Sequence, residues 1–360
     1  MDMLVDDDAA QTREMLRDSA ARLLSADQGL PHARRWRFEA PGFDRARWSR
    51  FCEMGWPGLA LPEASGGAGL GLRDVCALMD VLGRALAPEP AVAATMAVRL
   101  LADDALQAVL AGERIVLPAW QEDAHGTDLA GATQLRDGRV TGRKQFILQA
   151  GGADAFVVTT VQGAALVEAR AAGVALSLQP THDGGQLGML VLQDAPAIPL
   201  NGDTARVFDE AALAQAAYLQ GVAAASLQAT LDYLRTRKQF GRAIGSFQAL
   251  QHRAVDLHIQ LALTRASVEA AASTLDAGAD ALARALAVSR AKARASETAL
   301  LITRASIQMH GAIGYTDEFD VGLYLRKAMV VASQFGSADA HRARFAALSP
   351  TTEEAGTVHG

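Results

Sequence analysis

Four residues in the last third of the chain have side chains or backbones suited to a dinucleotide. Arg237 lies in the run Leu234-Arg235-Thr236-Arg237-Lys238-Gln239-Phe240-Gly241. It offers a planar guanidinium fork that matches a pyrophosphate, as the ammonium of Lys238 does not. Gln248 both donates and accepts, which suits an adenosine or ribose edge. Gly311 and Ala312 let backbone amides come close to an anion where a larger side chain would not. Taken singly, each has a plain structural account: a helix-end salt bridge for Arg237, a turn for Gly311. It is their occurrence together and in order that points to a ligand.

The elements that must position these residues fall into three textures, predicting a mainly α protein with a small central β domain. Residues 1–112 read as an N-terminal helical domain. In it, Asp7 or Asp8 is expected to cap a helix through Met15, Leu16, Leu23 and Leu24. A second helix is expected from about Asp74 to Ala87, ending before Pro88 and Pro90. Between them lies the Gly/Pro-rich stretch GWPGLALPEASGGAGLG, read as a loop. Residues 113–209 change to short alternating runs between turn residues: Arg139-Val140-Thr141 after Asp137-Gly138, then 155–160, then 188–192. Such spacing predicts a small antiparallel sheet or barrel. Residues 210–345 return to helices, long and Ala-rich. There, Leu250, Ala254, Leu257, Leu261, Thr264, Val268, Ala271 and Leu275 follow steps of four and three, the seam of a left-handed bundle. Residues 346–360 lack periodicity and read as a loose tail.

Composition narrows the function classes. A net charge of −6 without a dense Lys/Arg stripe argues against a nucleic-acid partner. Cys52 and Cys76 are the only cysteines, too few for a disulfide framework or a zinc set, and both are expected to be core thiols. The acidic N-terminus lacks the order of a secretion signal, and no segment reaches the ~18 apolar residues of a membrane span. A reduced, cytoplasmic protein with no metal site is expected.

The chain resembles the acyl-CoA dehydrogenase family. The resemblance is carried by RTRKQFG at 235–241, Ile244-Gly245-Ser246-Phe247-Gln248, Gln251-His252, Lys292, Glu297 and the run Ile307-Gln308-Met309-His310-Gly311-Ala312-Ile313-Gly314-Tyr315-Thr316-Asp317-Glu318. Looser matches are Met54-Gly55-Trp56-Pro57-Gly58-Leu59, Pro62-Glu63, Gly66-Gly67 and Leu82-Gly83-Arg84, so that about 9–345 is covered. The resemblance implies a helical N-terminal domain, a β-barrel or sandwich in the middle and a C-terminal four-helix bundle. It also implies FAD, an acyl-CoA substrate and electron-transfer flavoprotein as oxidant. On this basis the cofactor contacts are Arg237, Gln239, Phe240, Phe247, Gln248, Gln308, Met309, Gly311 and Ala312, reaching the flavin of a neighbouring subunit. Gln121, Thr127, Phe146 and Ser337 would face the chain's own flavin.

Several positions depart from the family pattern. Family chemistry needs a carboxylate that takes the α-proton of the thioester while the β-hydrogen leaves as hydride to the flavin, and that base must lie within hydrogen-bond reach. In most members it is a Glu before a Gly-Thr pair; here Gly336-Ser337 stands for the pair and Phe335 for the Glu. The position used by other members falls on Ala211, beside Glu210, and an Arg usual nearby falls on Ala212. Gln121 replaces a flavin-contacting Thr, and Leu148, in Lys144-Gln145-Phe146-Ile147-Leu148, stands where a hydroxyl should face the flavin. The stretch 335–346 looks most like chains described as small subunits of pimeloyl-CoA-type dehydrogenases, and is similar to paired subunits of heterotetrameric steroid-acyl-CoA dehydrogenases.

The catalytic base is therefore unknown from sequence, with Glu210 its weak candidate at the N-terminal end of a helix, where the macrodipole also favours an acid. The first expectation is an acyl-CoA dehydrogenase subunit, active in fatty acid or steroid side-chain catabolism, that completes the FAD site of a base-bearing partner in a heterotetramer. The alternatives are a self-sufficient dehydrogenase with an atypical base (Glu210, Glu122 or Asp339) and a flavin-free interaction protein on the same scaffold.

Overall fold

A computed structural model of the chain describes residues 2–26, 29–124, 126–129 and 131–349. The order is helical, then β, then helical. The first region holds α1 (Asp2–Ala26), α2 (Leu30–Arg35), α3 (Arg45–Glu53), α4 (Leu72–Arg84), α5 (Ala91–Val98) and α6 (Asp103–Leu110). Asp7 and Asp8 lie inside α1, not at its cap. The helix of the second expectation is α4, which starts earlier than foreseen. Its first turn is held from outside: Asp276 accepts from the amides of Leu72 and Arg73, at 2.6 and 3.1 Å, and Asp74 accepts from the Gly71 amide. The acid contributed by a distant helix supplies a cap that local sequence does not show.

The middle region holds two four-stranded sheets. One runs β1 (Val116–Ala119), β4 (Ala155–Thr160), β5 (Gly163–Glu168), β8 (Ile198–Leu200); the other runs β2 (Gln134–Arg136), β3 (Arg139–Leu148), β7 (Gln186–Pro196), β6 (Val174–Pro180). All three predicted runs fall within strands β3, β4 and β7. Asp137 and Gly138, both at positive φ, form the two-residue turn between β2 and β3. The expectation of a purely antiparallel arrangement is corrected at one pair, because β1 and β4 run parallel.

The last region begins with α7 (Thr204–Thr236), capped by Asp203 accepting from the Arg206 amide, so that helix starts before residue 210. A minimal hairpin of β9 (Lys238–Gln239) and β10 (Arg242–Ala243) follows, then α8 (Gln248–Asp276), α9 (Ala281–His310), α10 (Val321–Val331) and α11 (Ala338–Leu348). The helix therefore continues beyond residue 345; of the expected tail, residues 350–360 lie outside the described residues. Along the α8 seam, Leu257, Leu261, Thr264, Val268, Ala271 and Leu275 are buried. Its polar member is satisfied across the interface, Thr264 donating to Thr298 at 2.9 Å.

α7 is the central strut, packing on both α4 and α9. Two glycines allow its close crossing with α4. A Cβ at Gly83 would lie 2.0 Å from the Tyr218 carbonyl oxygen, and one at Gly221 2.0 Å from that of Asp80. The approach lets the Tyr218 hydroxyl donate to the Ala87 carbonyl at 3.1 Å, which fixes the chain leading into Pro88-Glu89-Pro90. Both cysteines are buried and free, and burial pushes the Cys52 thiol up to about 12 and raises Cys76 further, so both are inert core groups.

Candidate functional site

Where α7, α10, the 88–93 segment and the β3 end converge, a half-open chamber forms. Phe146, Leu148, Gln145, Gln149, Gln186, Gln215, Tyr218, Glu89, Gln334 and Phe335 are among its lining residues. Phe335, which the resemblance sets at the position of a base, is one of them. Its ring is 5% exposed and belongs to an aromatic stack: Trp120 at 6.4 Å with 14° between planes, and Phe208 edge-on at 6.2 Å. His341 stacks on the far side of Phe208 at 6.3 Å. Phenylalanine has no proton acceptor, and this one is a packed part of the wall.

The turn that carries Phe335 is anchored from α9. Lys292, fully buried, donates to the carbonyls of Ala332 and Gly336, each at 2.8 Å, and to the Ser296 hydroxyl at 2.9 Å. Burial without a carboxylate partner pushes its ammonium down to about 7. His341 donates from Nε2 to the Phe335 carbonyl at 2.7 Å; burial, then the Lys292 charge, press its pKa down to about 3, so the ring is neutral. A Cβ at Gly336, φ +94°, would lie 2.7 Å from His341 Nε2 and 2.9 Å from Thr127 Cγ2, which brings Thr127 against this turn. Ser337 is occupied as the α11 cap, accepting from the Ala340 amide at 3.1 Å. Gln334 donates to the Phe146 carbonyl at 3.4 Å, and Phe146 itself sits at φ 58°. Gln121 donates back to the Asp123 carbonyl at 2.7 Å within its own loop. The structure thus sets Phe146 and Phe335 in the chamber wall, with Thr127 and Ser337 at the adjoining turn and Gln121 turned to its own loop.

None of the candidate bases serves that chamber. Glu210 is buried in an ion pair with Arg99, at 2.8 Å, and Arg206, at 3.0 Å, beside a different crevice. Glu122 accepts from Lys144 at 2.7 Å and from the Thr133 hydroxyl and amide; burial alone would raise its pKa, but these bonds outweigh it and hold the carboxyl at about 2. Asp339 is exposed and pairs with Arg342. The acids that do line the chamber are Asp183, paired to Lys327 at 2.5 Å, and Glu89. Glu89 escaped sequence reading. One of its oxygens accepts from His32 Nε2 at 2.9 Å, while Oε2 is buried without a hydrogen-bond partner.

The dinucleotide-type residues lie elsewhere. Tyr233 stacks on His310 at 4.3 Å, which joins the ends of α7 and α9 and so brings Arg237 and Gly311 to one end of the bundle. Arg237 is exposed and makes no ion pair among the described residues, so a helix-end salt bridge does not account for it. Phe240 is 88% exposed and stands at φ 52° on the hairpin turn, edge-on to Phe247, over which the Arg242 guanidinium lies at 4.2 Å. Gln239, Gln248, Gln308 and Ala312 are exposed with it. Gly311 ends α9 at φ 69°, ψ −144°, a conformation essentially restricted to glycine. Met309 is the exception: its side chain is buried in the core and is not available to a cofactor. An exposed strained aromatic beside an unpaired arginine fits a surface that a cofactor or partner covers. Along α7, Arg237 comes nineteen residues after the chamber-lining Tyr218, hence ~28 Å away at 1.5 Å per residue.

No described helix is long and apolar enough to cross a membrane. Family models for the acyl-CoA dehydrogenase N-terminal domain and C-terminal domain match residues 10–108 and 203–348. Acyl-CoA dehydrogenase IpdE2 of Mycobacterium tuberculosis is 32% identical over 322 residues, covering 88% of this chain and 91% of that protein. Among solved structures, a Tcur3481-Tcur3483 steroid ACAD variant superposes with a TM-score of 0.87 at 28% identity, covering 94% of this chain and 98% of that one. The ChsE4-ChsE5 complex of Mycobacterium tuberculosis gives 0.83 at 27% identity over the same shares. With both end domains matched and a relative of this extent, the chain belongs to the acyl-CoA dehydrogenase family, whose shared activity is FAD-dependent oxidation of acyl-CoA thioesters.

Proposed function

We propose that this chain is a base-less subunit of a cytoplasmic, hetero-oligomeric acyl-CoA dehydrogenase, and that it completes the FAD site of a homologous partner bearing the catalytic carboxylate. The observation that carries the reading is the contrast at Phe335: the base position is sealed into an aromatic wall, while residues 237–240 and 311–312 stay exposed. Both solved structures compared above are named as pairs of different chains, which supports a mixed assembly.

In this reading the residues fit the cofactor on one side only. Arg237 would grip the pyrophosphate through its fork, Gln248 an adenosine or ribose edge, and the amides after Gly311 an anionic oxygen. FAD bound there supplies the hydride acceptor, the partner's carboxylate takes the α-proton, and electron-transfer flavoprotein is the oxidant. On the chain's own face, Phe335, Leu148 and the self-bonded Gln121 offer neither base nor hydroxyl. An isologous interface can diverge this way after duplication, each copy keeping its half of one surviving site.

A self-sufficient enzyme is favoured by one observation alone, the unpaired buried oxygen of Glu89, a residue that lines the chamber. Native mass spectrometry and flavin absorbance separate the two. The chain made alone should be colourless and inactive; with its partner it should form a mixed tetramer with fewer than one FAD per chain. A yellow homotetramer with one FAD per chain, bleached by an acyl-CoA and silenced by Glu89→Gln, would overturn the split-site reading.

A further inference from the structure

α8 is apolar on two opposite sides. Its inner seam faces the bundle, but at 100° per residue Val255, Ile259 and Leu263 fall on the other side, where they are 57%, 48% and 46% exposed. Ala262, Ala266 and Ala270 extend that outer side, and all three are exposed. A helix that covers only its own core keeps a polar outer face, whereas one apolar on both sides is a helix covered on both. The outer positions 255, 259, 262, 266 and 270 again step by fours and threes. That is the spacing of a helix-on-helix seam, and its alanines permit a close approach.

The surface beside this stripe is basic. On α9, Arg290, Arg294, Leu301 and Arg304 form one row, and a groove between α8, α9 and α11 joins that row to α8 at Gln260. Arg290 and Arg304, and Arg265 on α8, are exposed and make no ion pair among the described residues. Arg294 reaches only the Gln260 side-chain oxygen, at 3.5 Å. The neighbouring acids are largely paired already: Glu269 accepts from Arg73 at 2.5 Å and Glu297 from Arg342, which leaves Asp256. The face therefore carries an excess of loosely held guanidinium groups, on a chain whose net charge is −6.

We propose that the outer face of α8 and α9 is where this chain receives its base-bearing homologue, through a helix that brings an apolar stripe flanked by carboxylates. The inference rests on the mixed-assembly reading and adds to it the surface and the means of choosing a partner. Continuity favours this occupant, because Val255 lies about two helical turns along α8 from Gln248, which that reading assigns to the partner's cofactor. Charge disfavours a second copy of this chain. In an isologous contact the same basic patch would meet itself, and like charges across an interface reject a wrong partner. The homologue is thereby selected over self.

The test is isothermal titration of the full-length chain with the base-bearing acyl-CoA dehydrogenase chain that co-purifies with it, beside gel filtration of the full-length chain alone. Two paired variants are compared with the wild type: Ile259→Ser with Leu263→Ser, and Arg290→Glu with Arg294→Glu. Each pair should weaken association roughly tenfold or more, and wild-type association should weaken as salt is raised. The melting transition of the isolated chain should stay in place, since these side chains reach solvent. Should the serine pair fail to fold, the arginine pair carries the test alone. Undiminished affinity in both pairs would overturn the proposal, and so would a loss confined to the serine pair, which would remove the charge selection. A wild-type chain that forms an oligomer by itself, broken up by the same substitutions, would show a second copy on this face and overturn it too. Flavin content, read separately, reports on the partner-completing role: an assembly held through this face without flavin would sink that role and leave the surface standing.

Discussion

The exposed end of the bundle and the chamber wall share one long helix, α7, yet they bear opposite marks of use. At the end, Arg237 is unpaired, Phe240 stands in solvent at a strained φ, and Gly311 adopts a conformation other residues avoid. At the wall, Phe335 is packed and the neighbouring Gln121 is bonded to its own loop, while Glu210 is locked between two arginines beside a different crevice. An end whose arginine and aromatic ring stand in solvent is open to something outside the chain, whereas a wall with most of its polar groups met internally has been closed to it. Among the chamber residues only Glu89, Gln186 and Gln215 break that rule.

Three measurements press on this contrast. The largest effect is expected at Phe335. Replacing it with Glu removes a buried ring from the Trp120–Phe208 stack, a loss of ~3–5 kcal/mol by analogy with core Phe truncations, and puts a carboxyl against an apolar wall that raises its pKa. A lower melting transition and no flavin bleaching by acyl-CoAs without the partner are expected. Rapid bleaching by this single variant would show that the wall is closer to a working site than its packing implies.

Next in size is Arg237→Ala, which should weaken FAD retention by the assembly by ~1.5–3 kcal/mol, the worth of a charged hydrogen bond. Lys238→Ala should do far less, since an ammonium lacks the fork. Flavin absorbance after gel filtration compares the two; equal retention would remove the pyrophosphate assignment.

The smallest effect over any single pH unit is a pH dependence of stability. His341 is held neutral in the fold down to about 3, well below its ordinary value of 6.5, so between these limits the unfolded chain binds the extra proton. Stability contributed by the neutral ring is complete above 6.5 and is lost as pH falls toward 3, with a slope of up to ~1.4 kcal/mol per unit. His341→Gln should flatten the wild-type profile over that window; superimposed profiles would mean the ring protonates freely and the turn under Phe335 is looser than its hydrogen bonds indicate.

Local signals carried much of the fold into view. Asp137-Gly138 announced the β2–β3 turn, the 155–160 run coincides with β4, and the steps of four and three along α8 marked a seam that is buried. What the sequence hid was set at long range. The parallel β1–β4 pair joins segments with two strands between them in the chain, and the cap of α4 comes from Asp276. Glu89 lies between prolines with no periodicity to flag it, and its partner His32 is 57 positions away. Glu210 looked available because Arg99, its partner, lies 111 positions away. The placement of Phe335 at the base position was legible only through the family resemblance; its ring stack was not legible at all.

The unbroken run of α7 from Thr204 to Thr236 has a bearing on how such subunits can be recombined. A single residue inserted within it would turn everything downstream by about 100° and shift it about 1.5 Å. Arg237 would then swing away from its neighbour while the chamber upstream stayed intact. Chimeras between related subunits should therefore tolerate a splice at the Asp203 cap or beyond the β9–β10 hairpin, and fail when the junction changes the residue count between Tyr218 and Arg237. The helix works as a gauge block, and its length is as much a specification of the assembly as any side chain along it.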